Sequence, residues 1–437
     1  MSSPVPALRK KLPLWAKSLI GVCVGCVLGV VFGQRPIVFG IHNAELATIG
    51  GLVIRLLKTL ATPLVFFAIV DAFARTRISA KQGGKLLLFC LMNVTVAMTI
   101  TLTVMNVAKP GLAWRGHLQE MMGDVTRQTS PDSVVKKAPK EASLDPLKNM
   151  DRTVPENLVD PFQQNTVLTV ALLGVLVGCA LRKVKDEQEL TGEDGYKPVE
   201  KTVETIYKIL VQMLEWTVQL VPYAVMGMVA AVVGKSGLGV FRLLGTFLAT
   251  ALFCLAFHAL VYYPLMAWVI GRRSPKEYLG KGADAILTGL SMNSSLGTVP
   301  ITLKCLKKMN VSESNSRLAA CVGTNLNNDG ITLYEAMTAI FLVQALGYAL
   351  PFGKQIVIVL ASIMAGAGVA GIPEAGLIVL QLVLAAAGLP EMVIFAALPL
   401  ILPVDWIIAR CRSGVNVMSD MLVAIQLQGR TRDGEEG

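Results

Sequence analysis

Ala396-Ala-Leu-Pro-Leu-Ile-Leu-Pro-Val-Asp405-Trp-Ile-Ile-Ala409-Arg-Cys-Arg412-Ser413-Gly-Val-Asn416-Val-Met-Ser-Asp420-Met-Leu-Val-Ala-Ile-Gln-Leu427 is long and apolar enough to span a bilayer, yet it carries a column of polar residues. Asp405, Arg412, Asn416 and Asp420 are separated by seven, four and four residues. At 3.6 residues per turn they share one helix face, with Ala409 in the gap and Ser413 alongside. A charge at the bilayer centre costs about 2.5–3.5 kcal/mol on the insertion scale. Such a face turns towards protein or a wet cavity. An arginine among carboxylates and an amide suits an anion plus a cation. The alternative is an ion-pair network that only fixes helix packing.

The rest of the chain agrees with a membrane setting. It has 437 residues, 53% hydrophobic and 16% charged, and a mean hydropathy of +0.58. That composition indicates an all-α polytopic membrane protein. About eight transmembrane helices are expected, near 13–33, 46–74, 84–107, 164–181, 203–234, 239–270, 312–345 and 391–427. Two further apolar stretches, 276–307 and 353–390, are broken by Ser, Gly and Pro and are expected to be re-entrant helical hairpins. The net charge of +10 does not point to nucleic acid. Its excess flanks spans on one side, at Arg9, Lys10 and Lys11, at Arg75 and Arg77, at Arg182 and Lys183, and at Arg272 and Arg273. This is the positive-inside pattern and places the N-terminus in the cytoplasm. Eight cysteines and three histidines show no metal-ligand spacing. The long polar stretch 110–164 has no sustained apolar period and is expected to be an external loop.

The second half repeats a pattern. Ser291-Met-Asn-Ser294-Ser295-Leu-Gly-Thr-Val-Pro300 is followed by Thr324-Asn-Leu-Asn327-Asn328-Asp329-Gly330. Met364-Ala-Gly-Ala-Gly-Val-Ala-Gly371-Ile372-Pro373-Glu-Ala-Gly376 is followed by the polar column. Interrupted segments at matching places in two halves point to a transporter site at the midplane. The positive-inside count makes these repeats inverted. Free N–H groups at a half-helix start suit a carboxylate, and free carbonyls suit sodium; close helix packing is the plainer explanation. The oxygens around Asn327 and Asp329 suit a hard cation or a buried polar network. Glu335, a carboxyl in an apolar span, suits a proton carrier or a structural hydrogen bond.

Together these stretches, with Leu56-Leu-Lys-Thr-Leu-Ala-Thr-Pro-Leu-Val-Phe-Phe67, resemble the glutamate transporter family of dicarboxylate/amino acid:cation symporters, from about Leu12 to Leu427. The resemblance implies a homotrimer with an elevator mechanism. On that plan 1–82 holds scaffold spans 1–2 and 83–109 the third span, which belongs to the transport domain. Residues 110–163 form an extracellular loop. Spans 4–6 occupy 164–270, with 4 and 5 in the scaffold and 6 in the transport domain. Residues 271–427 complete the transport domain with both hairpins and spans 7–8, and 428–437 are a cytoplasmic tail. Ser294 and Ser295 resemble the inner hairpin tip that contacts substrate. Gly371, Ile372 and Pro373 resemble the outer tip. Arg412, with Ser413 beside it, matches the arginine for a distal carboxylate, and Asn416 the amide for the main one. Asn327, Asp329 and Asp420 resemble sodium ligands, to which Asn93 and Asn416 are added as candidates. Glu335 resembles a glutamate tied to proton coupling.

The departures from the family pattern carry information too. Amino-acid-transporting members hold the substrate ammonium with an aspartate where this chain has Ala409. Without it a buried amine has no anionic partner, a cost of a few kcal/mol. Ile331 replaces a threonine and Asn328 a methionine, while Cys90, Asn93 and Val94 stand where a third sodium site has hydroxyls. The expectation is a cation-coupled symporter, with sodium favoured and protons second. A dicarboxylate is favoured over an acidic amino acid. A symporter for acidic or neutral amino acids, or an anion-conducting channel of the same fold, is the alternative. An enzyme is not expected, because a hydrolase built on Ser295 and Asp329 has no histidine in the repeat region. The expected location is the cell's inner membrane, multi-pass, with both termini cytoplasmic. The expected partners are lipid, a small carboxylate and two further copies of the chain.

Overall fold

A computed structural model describes residues 14–37, 40–75, 80–115, 157–163, 167–348, 350–367, 375–389 and 391–429. The described residues form helices and connecting turns, with no strands among them. They are α1 (Leu14–Phe32), α2 (Asn43–Arg75), α3 (Ala80–Val107), α4 (Asp160–Gln163), α5 (Val167–Thr191), α6 (Tyr196–Val218), α7 (Val221–Ser236) and α8 (Val240–Phe257). A π-turn at His258–Tyr262 leads into α9 (Tyr263–Val269). Then follow α10 (Pro275–Met292), α11 (Ser295–Lys308), α12 (Glu313–Arg317), α13 (Asp329–Ala345), α14 (Phe352–Ala367), α15 (Ala375–Ala386) and α16 (Glu391–Gln428).

Two groups of helices build the bundle. In the first, α2 packs against α5, α6 and α7, and α1 lies along α7. Glycine draws α1 and α7 together. A Cβ on Gly21 would lie 2.5 Å from the Pro222 carbonyl oxygen, and one on Gly25 2.5 Å from that of Met226. One on Gly29 would lie 2.7 Å from the Val233 Cβ. A stripe of glycines at every fourth position lets two backbones touch, and in lipid this close packing drives helix association. Gly25→Val is therefore expected to lower stability by about 1–3 kcal/mol through overpacking against backbone that cannot yield. The melting temperature of the detergent-purified protein, compared with that of Val27→Ala on the exposed side, checks this.

The second group is centred on α16, against which α8, α10, α11 and α13 pack. Trp114, Phe247, Phe341 and Tyr334 form a chain of edge-on and tilted ring contacts that ties the 3-10 turn at Pro110–Trp114 and α8 to α13. The two expected hairpins appear as α10–α11 and α14–α15. The first reverses at Asn293, whose φ of 52° is left-handed, and Ser294 then caps α11 by accepting from Gly297 N–H at 3.0 Å. The second tip, with Gly371, Ile372 and Pro373, lies outside the described residues.

Among the described residues, Glu45–Asp71, Gln82–Val107 and Leu244–Val269 are individually long and apolar enough to cross a membrane. Tyr196–Val218 and Val221–Lys235 add a fourth crossing if taken as one bent span, with 41° between them. Sequence periodicity treats 203–234 as one continuous span. The bend arises at Gln219–Leu220, just before Pro222, which has no N–H to continue the ladder. The charged stretch that begins at Arg182 is helical as far as Thr191, supported by Arg182–Asp186 and Lys183–Glu187 pairs one turn apart.

Candidate functional site

The polar column of α16 faces inward. Asp405, Arg412, Ser413, Asn416 and Asp420 are all buried, as is Ala409. Arg412 Nη2 lies 3.5 Å from Asp405 Oδ2, and the guanidinium stands over the Tyr334 ring at 4.1 Å from its centroid. Gly376, at the start of α15, closes the other side: a Cβ there would lie 2.1 Å from Arg412 Nη1. The second hairpin thus reaches the guanidinium through a residue with no side chain. The Ser413 and Ser295 hydroxyls are buried without hydrogen-bond partners. Buried hydroxyls left open in this way call for a ligand or water.

The broken helix before α13 supplies the second half of the site. A π-turn at Leu318–Val322 and a 3-10 turn at Gly323–Asn325 unwind the chain, and α13 restarts at Asp329. Gly330 is required there, since a Cβ would lie 2.6 Å from the Arg412 carbonyl oxygen. Asn416 Oδ1 accepts from Gly330 N–H at 2.9 Å, and its Nδ2 donates to Asn328 Oδ1 at 3.1 Å. Asn328 in turn donates to the Gly366 carbonyl of α14 at 2.9 Å. The Asn416 amide therefore ties α16 to α13 and, through Asn328, to the second hairpin.

Thr324 and Asn327 face the Asp420 carboxyl. Thr324 Oγ1, both amide atoms of Asn327 and Asp420 Oδ1 are buried, and none of them makes a well-aligned hydrogen bond. Oxygen atoms left open around a carboxylate fit a hard monovalent cation. Asp329, by contrast, is fully engaged at Oδ2. Tyr263 Oη donates to it at 2.8 Å and Ser419 Oγ at 2.7 Å, and His258 Nε2 is 3.5 Å away. Asn93 Oδ1 accepts from Tyr262 Oη at 2.9 Å. Glu335 is fully buried, and neither of its oxygens has a partner.

Sequence reasoning missed His258, Tyr262, Tyr263, Ser419, Thr324 and Tyr334. A lone histidine and adjacent tyrosines in an apolar span carry no spacing signal. Only the π-turn places 258, 262 and 263 on one side.

The helical bundle thus holds a buried guanidinium, a buried oxygen cluster and two pairs of helices, α10–α11 and α14–α15, at broken stretches of the chain. The chain belongs to the Sodium:dicarboxylate symporter family, whose model matches residues 14–429. It is 28% identical to excitatory amino acid transporter 3 of Mus musculus, over 93% of this chain and 83% of that protein. It is likewise 28% identical to the C4-dicarboxylate transport protein of Acidovorax ebreus (strain TPSY), over 97% and 90%. Family membership implies sodium coupling and a multi-pass membrane protein. It also agrees with the expectation of a transporter and not an enzyme.

Proposed function

We propose that this chain is a sodium-coupled symporter for a small carboxylate at the cell's inner membrane, with a dicarboxylate favoured over an acidic amino acid. The observation that carries the substrate choice is a buried arginine with a buried alanine three residues before it. Arg412 offers a planar fork for one carboxylate, and Ser295 and Ser413 offer free hydroxyls. Ala409 offers nothing to an ammonium group. One observation favours the amino-acid reading: Asp405 is a buried anionic acceptor near Arg412.

Sodium is assigned to Thr324, Asn327 and Asp420, whose open oxygens fit it. A bound sodium ion there would neutralise a buried carboxylate beside the substrate pocket. Proton carriage by Glu335 is the second coupling candidate, supported by its burial and lack of partners. The homotrimer, the elevator movement and cytoplasmic termini belong to the same proposal. Packing supports the movement. The arms of the second hairpin, α14 and α15, rest on α5 and α2, whereas α10 and α11 pack on the α16 group and leave Leu287, Met292 and Leu296 exposed.

A thermal-shift screen of succinate, fumarate, aspartate and glutamate, in sodium and in choline chloride, tests the proposal. Stabilisation by a diacid only with sodium is expected, following mass action. Stabilisation by aspartate alone would reverse the substrate order. Asp420→Asn is expected to weaken the sodium dependence at least about tenfold, since the cation loses its only formal counter-charge in the cluster. Sodium titrations of the melting temperature check this.

A further inference from the structure

The resemblance implies a cation ligand at Asp329. We propose that Tyr262 and Tyr263 close the locus between α3 and the start of α13, so that Asp329 and Asn93 are held by hydroxyl groups and take no coupled cation. The inference rests on the reading above that sodium is held at Asp420.

A carboxylate presents about four lone-pair sites over two oxygens. At Asp329 Oδ2 two O–H groups already converge, from Tyr263 at 2.8 Å and Ser419 at 2.7 Å. A cation in contact with Oδ2 would have to displace at least one of those hydrogens. The Asn93 side-chain carbonyl, the candidate ligand from α3, already accepts from Tyr262. Asp329 also opens α13, where the positive end of the helix dipole favours a carboxylate. Two hydroxyl donors and a helix start thus stabilise the carboxylate at Oδ2.

The phenols are held firmly. Tyr263 N–H bonds to the His258 carbonyl, the five-residue step of a π-turn. That wider turn brings residues 258, 262 and 263 to one side. His258 stacks on Tyr262 at 4.9 Å between centroids and meets Tyr263 edge-on at 4.5 Å. The neighbouring cluster differs in its donors: Thr324 and Asn327 face Asp420, whereas a phenol and a serine hydroxyl meet Oδ2 of Asp329 and a phenol meets Oδ1 of Asn93.

Anomalous diffraction from crystals grown with thallium in place of sodium locates the cations directly. The wild-type protein is expected to show a peak beside Asp420 and none in contact with Asp329. The Tyr262→Phe/Tyr263→Phe double variant is expected to gain a peak at Asp329. A wild-type peak bridging Asp329 and Asn93 would overturn the proposal. A double variant that folds but gains no peak would remove the phenols as the cause. An absent peak at Asp420 would instead strike the sodium assignment above, and the locus at Asp329 is judged separately from it. Should the double variant fail to fold, the wild-type map alone decides whether Asp329 holds a cation.

Discussion

Arg412→Ala is expected to lower affinity for any dicarboxylate by a factor on the order of 10²–10³. Truncating one partner of a buried charged pair costs about 2–5 kcal/mol, and each 1.4 kcal/mol is tenfold. Three contacts disappear together: the fork for the solute, the 3.5 Å approach to Asp405 and the cover over the Tyr334 ring. The Asp405 carboxylate would then stand buried beside an incoming anion, which adds repulsion to lost attraction. Arg412→Lys keeps the charge and loses the planar two-point geometry, so an intermediate loss is expected. Calorimetric titration of succinate into the purified protein in sodium measures both. Unchanged succinate affinity in Arg412→Ala would reject this guanidinium as the anchor.

Ala409→Asp is expected to reverse the order of diacid and amino acid. The new carboxylate would stand on the same α16 face as Arg412, one turn earlier. It supplies the partner that a buried ammonium requires, and it repels a second carboxylate. Selectivity is a difference of two affinities, so gain and repulsion add. With a few kcal/mol at stake, the ratio of aspartate to succinate affinity is expected to rise about 100-fold or more. Competition of the two solutes for uptake into proteoliposomes reads the ratio. An unchanged competition profile would remove the argument from the missing amine partner and would leave Asp405 as the group to examine for amino-acid binding.

Much of this architecture was legible from the chain. Four polar residues at helical spacing identified the inward face of α16, because lipid tolerates no such column. Ser, Gly and Pro breaks marked both hairpins, since only covered backbone can leave the helix inside a membrane. Less could be seen of what these residues do to one another. Asn416, Asn93 and Asp329 were legible as candidate ligands, but not the partners they meet: Gly330 and Asn328 at the Asn416 amide, and two tyrosines from a different span at Asn93 and Asp329. Such encounters depend on a π-turn at His258–Tyr262, a one-residue change in winding that leaves no trace in hydropathy. The bend between α6 and α7 escaped for a related reason: the apolar pattern continues through Gln219–Leu220 while the backbone turns.

The glycine seam between α1 and α7 also has a genetic consequence. Every amino-acid-changing substitution of a glycine codon installs at least a Cβ, and at residues 21, 25 and 29 that carbon meets α7 within 3 Å. Val27, Val30 and Val31 on the exposed side of the same helix meet no such wall. In a library of all single variants, these three codons should be intolerant islands within a permissive stretch.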